Sequence, residues 1–176
     1  GSEMCIRDRN DIQTTALIRA LMDDIEYEGT VKWGVTTSRS YLPKDNSRDF
    51  AGGESILDWL RQFASKEEDD NTFLRGFLGR MLFSGDEVNK SVNVLSGGEK
   101  VRVMLSKLML LKSNVLVLDD PTNHLDLESI SSLNDGLKNF KESIIFASHD
   151  HEFIQTLANH IIVLSKNGVI DRIDET

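Results

Sequence analysis

Cysteine is almost missing from this 176-residue chain, where Cys5 stands alone. One thiol excludes an internal disulfide and any zinc site built on several thiolates, and agrees with a reducing cytosol. No apolar run approaches the roughly 20 residues that cross a bilayer, so direct membrane insertion is not expected. Positive charge is also short: 20 Lys and Arg stand against 29 Asp and Glu, a formal net charge of −9. Such a balance opposes a free-standing nucleic-acid binder, which presents a basic surface, so any RNA contact would be local or made by other parts of a longer protein. The four histidines, His124, His149, His151 and His160, show no His-x-x-x-His spacing. His149 and His151 have no cysteine or third ligand in spacing, which sets a metal role well below structural ones. There is no internal repeat and no low-complexity segment.

What remains is enough for one well-packed domain. Hydrophobic content of 39% and a mean hydropathy of −0.28 fit a soluble globular protein. Residues Gly1 to Arg9 show no convincing period, and 1–13 are assigned as tag or non-native sequence. From Thr14, the residues Ala16, Leu17, Ala20, Leu21 and Ile25 recur at helical spacing. Glu28-Gly29 makes a turn between short extended pieces at Thr30–Val35 and Ser38–Leu42, the second ended by Pro43, and a loop runs from Lys44 to Gly53. Residues 54–94 read as a helical subdomain and polar connector. One helix carries Ile56, Leu57, Trp59, Leu60 and Phe63, another Phe73, Leu74, Phe77, Leu78 and Leu82, with the acidic run Lys66 to Asp70 between them as a solvated loop. Gly98-Glu99 opens a long helix. Strands at Val115–Leu118, Ser143–Ala147 and His160–Leu164 then alternate with helices at Leu127–Phe140 and His151–Asn159. Asn167-Gly168 is a turn ahead of a last strand, Val169–Ile173. Strands alternating with helices imply a parallel sheet covered on both faces, an α/β fold.

Three stretches carry chemistry. The buried run Val115 to Leu118 ends in Asp119 and Asp120, and Pro121 stops the ladder, so two acids stand at a strand's carboxyl end, where open parallel sheets bind ligands. In a nucleotide hydrolase the strand-end acid holds Mg²⁺ and the next acid polarises the attacking water. Two acids that merely cap a turn are the bland alternative, less favoured after four buried β residues. Leu95-Ser96-Gly97-Gly98-Glu99 sets a hydroxyl and two unhindered backbone N–H groups at a helix start, either a phosphate clamp or an ordinary Ser cap with Glu99 completing a capping box. Both can hold together. Ser148-His149-Asp150 follows a strand, which puts His149 on the sheet edge of Asp119, able to bond a phosphate or orient water.

Together these stretches resemble the ATP-binding-cassette (ABC) ATPases. Leu95 to Glu99 is similar to their signature, Val115 to Asp120 to the Walker B segment, Asn123-His124-Leu125-Asp126 to the D-loop, and Ser148 to Asp150 to the switch histidine. The wording Pro-Thr-Asn-His-Leu-Asp-Leu-Glu-Ser, with Ser-Gly-Gly-Glu-Lys-Val-Arg, resembles the ABC-F branch and its second cassette, over Thr14 to Thr176. The resemblance implies a P-loop NTPase-like parallel sheet with a small helical subdomain, ATP and Mg²⁺ as cofactors, and a cytoplasmic protein. It implies two partners as well: a second ABC cassette in the native chain, and the ribosome, with its rRNA or tRNA met through other regions, in translation or antibiotic resistance. Implied roles are Asp119 and Thr14 for the metal, Asp120, His149 and Lys44 for catalysis, and Thr14, Thr15, Ser96, Gly97, Gly98, Glu99 and Asp126 for nucleotide.

Departures from that pattern are equally specific. The family expects a glycine-rich P-loop ending in Gly-Lys-Ser/Thr, and here Gln13-Thr14-Thr15 stands at its end with no glycine between Gly1 and Gly29. The phosphate cradle is missing, as are the strand expected before it and the amino-terminal β-subdomain. Lys44 takes the place of the Q-loop glutamine, and Asp120 replaces a glutamate one methylene longer. This chain alone is therefore expected to hydrolyse ATP weakly or not at all, and a lost central strand predicts self-association through unpaired edges. Competing readings are the cassette of a membrane transporter and a catalytically inert interaction module.

Overall fold

The computed structural model describes residues 3–7, 11–165 and 168–173. In chain order the elements are β1 (Glu3–Arg7), α1 (Asp11–Leu21), β2 (Arg39–Leu42), α2 (Ile56–Arg61), α3 (Asn71–Arg80), α4 (Gly97–Leu110), β3 (Val115–Asp119), α5 (Leu127–Lys138), β4 (Ser143–Ala147), α6 (His151–Leu157), β5 (His160–Ser165) and β6 (Gly168–Ile173). They fall into two compact units. The first comprises Gly1–Lys44, Ser113–Pro121 and Phe140–Thr176; the second comprises Asp45–Lys112 and Thr122–Asn139.

The first unit is a six-stranded sheet in the order β2-β3-β4-β1-β5-β6. The ladders from β2 to β5 are parallel and β6 closes the edge antiparallel to β5. Successive side chains of a strand leave on opposite faces. On one face Val117 and Ala147 pack with Ile6 and Ile18 of α1, joined by Leu17, Leu21, Tyr41 and Ile145. On the other, Phe146 meets Phe153 of α6 edge to face, ring centroids 5.1 Å apart. Burying each such side chain contributes about 1.5–3 kcal/mol, which is why the strands carry so little polar sequence between Val115 and Leu118.

Two expectations are corrected here. The strand thought missing is present: Glu3–Arg7 sits between β4 and β5, with Ile6 opposite Ala147 on one side and Ile162 on the other. A central strand is buried on both faces, so three apolar residues in a row, Met4-Cys5-Ile6, are enough and no alternation shows. The neighbours' edges are therefore paired, and self-association through them loses its ground. The second correction concerns Thr30–Val35, which is irregular rather than extended in a ladder. Its Trp33 indole N–H donates to the Leu21 carbonyl at 3.1 Å, supplying a partner for the last turn of α1. That helix also starts at Asp11, three residues ahead of Thr14.

The second unit is helical. Ser55 caps α2 and Asp70 caps α3, each side chain accepting a backbone N–H three residues on. The acidic run from Lys66 to Asp70 is more than a solvated loop. Asp69 pairs with Arg61 at 2.9 Å, Glu68 with Lys112, and Asp70 is the cap itself. Phe50 stacks on Trp59, Trp59 meets Phe63 edge to face, and the Lys107 ammonium lies 4.3 Å from the Phe63 ring centroid. The turn expected at Asn167-Gly168 lies outside the described residues at Asn167.

Candidate functional site

Parallel register brings the carboxyl ends of β1, β2, β3 and β4 to one edge. Leu42 is opposite Leu118, and Asp119 opposite Ala147. Each chain segment leaving that edge carries one of the expected residues. Asp119 ends β3 and is 2% exposed. The Asp120 N–H extends the ladder by donating to the Ala147 carbonyl at 2.9 Å. Its own φ of +52° then turns the chain sharply, a conformation that Asp tolerates better than most residues. Lys44, two residues beyond β2, sets its ammonium 3.6 Å from Asp120 Oδ2. From the α1 side comes Thr14, 5% exposed. These residues, with Thr15, Ser148 and His149, line one cleft. Room inside is about 10 Å³, roughly one water.

Neighbours fix the frame. Ser148 is buried, and its hydroxyl accepts the Asp150 N–H at 3.1 Å. Asp150 in turn caps α6 through the Phe153 N–H at 2.8 Å, so His149 is exposed on a rigid turn. Tyr41, opposite Val117 on β2, has its phenol pushed up to about 12, first by burial and then by the Asp119 charge.

The signature residues belong to the second unit. Ser96 caps α4, its hydroxyl accepting the Glu99 N–H at 3.2 Å while the Glu99 carboxylate accepts the Ser96 N–H at 2.8 Å. The capping box is therefore real. Lys90 adds a charge-assisted bond to Glu99 at 2.9 Å. Burial alone would raise the Glu99 carboxyl; the Lys90 ammonium and the Ser96 donors outweigh it and hold it below its ordinary value. The two glycines differ. A Cβ on Gly98 would lie 2.8 Å from the His124 carbonyl oxygen, whereas one on Gly97 would meet the His124 side chain no closer than 3.4 Å. His124 itself has φ +66°. Asp126 caps α5, accepting the Ser129 N–H at 2.8 Å, and its carboxyl is held down first by its side-chain bond with Ser129 and then by that backbone N–H.

Thr14, Thr15, Lys44, Asp119, Asp120 and His149 are thus gathered in the first unit. Ser96, Gly97, Gly98, Glu99 and Asp126 are organised around two helix starts in the second. Ser148 and Lys90 were not among the expected residues. A Ser two positions before an Asp cap is a readable signal for Ser148; nothing in the sequence nine residues upstream of Glu99 marks Lys90.

The geometry can be compared with known proteins. A family profile described as ABC transporter matches residues 13–123. The chain belongs to that family. Among its ABC relatives, the uncharacterized ABC transporter ATP-binding protein YkpA of Bacillus subtilis is 57% identical over 166 residues, 93% of this chain and 31% of YkpA. ABC transporter F family member 2 of Arabidopsis thaliana is 40% identical over 98 residues, 56% of this chain and 14% of that protein. The chain thus spans about a third or less of the curated relatives it matches. In structure, archaeal ribosome recycling factor aABCE1, solved with the ribosomal stalk protein aP1, superposes with a TM-score of 0.74 at 23% identity, over 92% of this chain and 31% of that one. The parallel-sheet fold is that of the ABC ATPases. No helix among the described residues is long and apolar enough to cross a membrane.

Family membership raises Mg²⁺ and ATP, and the residues can be tested against each. Mg²⁺ takes oxygen ligands and keeps several waters. A buried Asp119 carboxylate and a buried Thr14 hydroxyl on one cleft fit it. Among the described residues no three His, Cys, Asp or Glu side chains converge on a metal position, so water would complete the shell. The phosphates are not matched in the same way: residues 8–13, Asp-Arg-Asn-Asp-Ile-Gln, hold neither glycine nor lysine.

Proposed function

We propose that the chain is an ATP-binding and ATP-hydrolysing cassette of a cytoplasmic ABC-F protein that acts on the ribosome in translation or antibiotic resistance, with its own nucleotide half-site impaired. The observation that carries this is the cleft at the sheet edge, where nearly buried Asp119 and Thr14 stand with Asp120, Lys44 and His149. Asp119 and Thr14 are the Mg²⁺ ligands in this reading, Asp120 the general base, and His149 and Lys44 its neighbours in catalysis. Thr15 contributes to the same half-site. Ser96, Gly97, Gly98, Glu99 and Asp126 face the nucleotide of a second cassette, the partner in the native chain. The ribosomal part of this reading is supported by the ABC-F wording of Pro121 to Ser129 and by the likeness of the fold to a recycling factor solved with a ribosomal stalk protein.

The missing cradle decides the outcome for the isolated chain, because backbone N–H groups and a lysine supply most of the grip on phosphate in such sites. Titration calorimetry is expected to show no Mg-ATP binding in the micromolar range. A micromolar dissociation constant would overturn the impairment. Co-sedimentation of a longer protein bearing this cassette with ribosomes tests the other half; partition with membranes alone would favour a transporter.

A further inference from the structure

We propose that the Lys44 ammonium is a resident cation in the acid pair, displaced from Asp120 when a divalent ion enters the cleft, and that it sets how tightly the cleft holds that ion. The proposal rests on the reading of Asp119 as the metal acid and adds the regulation of that site.

Three observations carry it. First, charge: Asp119 and Asp120 put two carboxylates on one cleft, and Lys44 lines the same cleft. Adjacent carboxylates repel, and any cation between them relieves the repulsion. A divalent ion offers twice the relief, so it and the ammonium compete. Second, the geometry makes the lysine the mobile partner. Asp120 is held by its N–H bond to Ala147 and by its left-handed turn, whereas Lys44 reaches in on a flexible four-carbon stem. Their separation of 3.6 Å is beyond good hydrogen-bonding distance, so the contact with Asp120 is ionic. Third, the pair is set back from solvent, with side chains 33% and 16% exposed for Lys44 and Asp120. Salt screens such a pair less than a surface one, so its removal has a measurable effect.

The test is a titration of the whole chain with Mn²⁺ as the probe, followed by electron paramagnetic resonance, with circular dichroism confirming the fold of each variant. Lys44→Gln is expected to bind Mn²⁺ tighter by on the order of tenfold, the effect one nearby unit charge has on a half-buried site. Lys44→Arg keeps the charge and is expected to bind weakly, like the parent. Adding Asp120→Asn to Lys44→Gln should return the affinity to the parent's. Unchanged or weaker binding by Lys44→Gln, including none at all, overturns the proposal, and so does Lys44→Arg behaving like Lys44→Gln. The underlying reading fails separately: if Lys44→Gln with Asp119→Asn keeps the full gain, Asp119 is not the metal acid.

Discussion

Gly97 and Gly98 stand side by side at the start of α4, and only one of them is required by its surroundings. At Gly98 the His124 carbonyl occupies the place of a side chain, 2.8 Å from where a Cβ would sit. Gly98→Ala is therefore expected to destabilise the fold by about 1–3 kcal/mol, the ordinary cost of overpacking. Gly97→Ala meets an ordinary contact and replaces a poor helix former, so it should be neutral or gain up to about 1 kcal/mol. Urea midpoints of the two variants give the comparison, and equal losses would contradict the assignment. Tyr41 supplies a pH dependence at the same scale. Its phenol is raised from 10.0 to about 12 in the fold, by burial and by Asp119. Above pH 10 the unfolded chain loses that proton first, so stability holds below pH 10 and falls as pH rises toward 12. Tyr41→Phe removes this part of the fall. The stability difference between parent and variant, measured by urea unfolding below pH 10 and again near pH 12, should shift against the parent; a constant difference would count against it.

Elements were legible in the sequence wherever burial wrote a period. Val115 to Leu118 reads as a strand because an inner parallel strand is apolar on both faces, and α4 reads as a helix because Val101, Met104, Leu105 and Leu108 fall at spacings of three and four on its apolar side. The acids at the end of β3 and the Ser96–Glu99 box were likewise readable, since local chemistry specifies them. β1 was not. Its Met4-Cys5-Ile6 is too short to show a pattern, and its place between β4 and β5 is fixed by pairing with residues about 140 and 156 positions away, which no local window contains. The acidic run at 66–70 is the exposed loop its charge indicated, but its partners were not legible. Its charge pointed to solvent, yet Glu68 finds Lys112 from 44 residues away. Lys44 was readable as a site residue only through the family resemblance, where it takes the place of the Q-loop glutamine; its pairing with Asp120 came only from the register that aligns β2 with β3.

At the scale of the molecule the question is whether the frame of the cleft survives without a phosphate cradle. It does: β1 is in place between β4 and β5, and Asp119 and Thr14 line the cleft. In the proposed reading the defect lies in the sequence of residues 8–13, which hold neither glycine nor lysine. Replacing residues 7–13 by a Gly-x-x-x-x-Gly-Lys stretch leading into Thr14 should accordingly confer Mg-ATP binding in calorimetry, because it supplies the N–H groups and the lysine that the sequence lacks. Adding Asp120→Asn to that chain should leave nucleotide binding in place and lower turnover by about 10²–10⁴-fold, the range for loss of a general base. A restored chain that binds no nucleotide would move the defect away from this segment and onto the frame. Binding without any dependence of turnover on Asp120 would instead remove that residue from the chemistry and leave the cleft a metal and phosphate site alone.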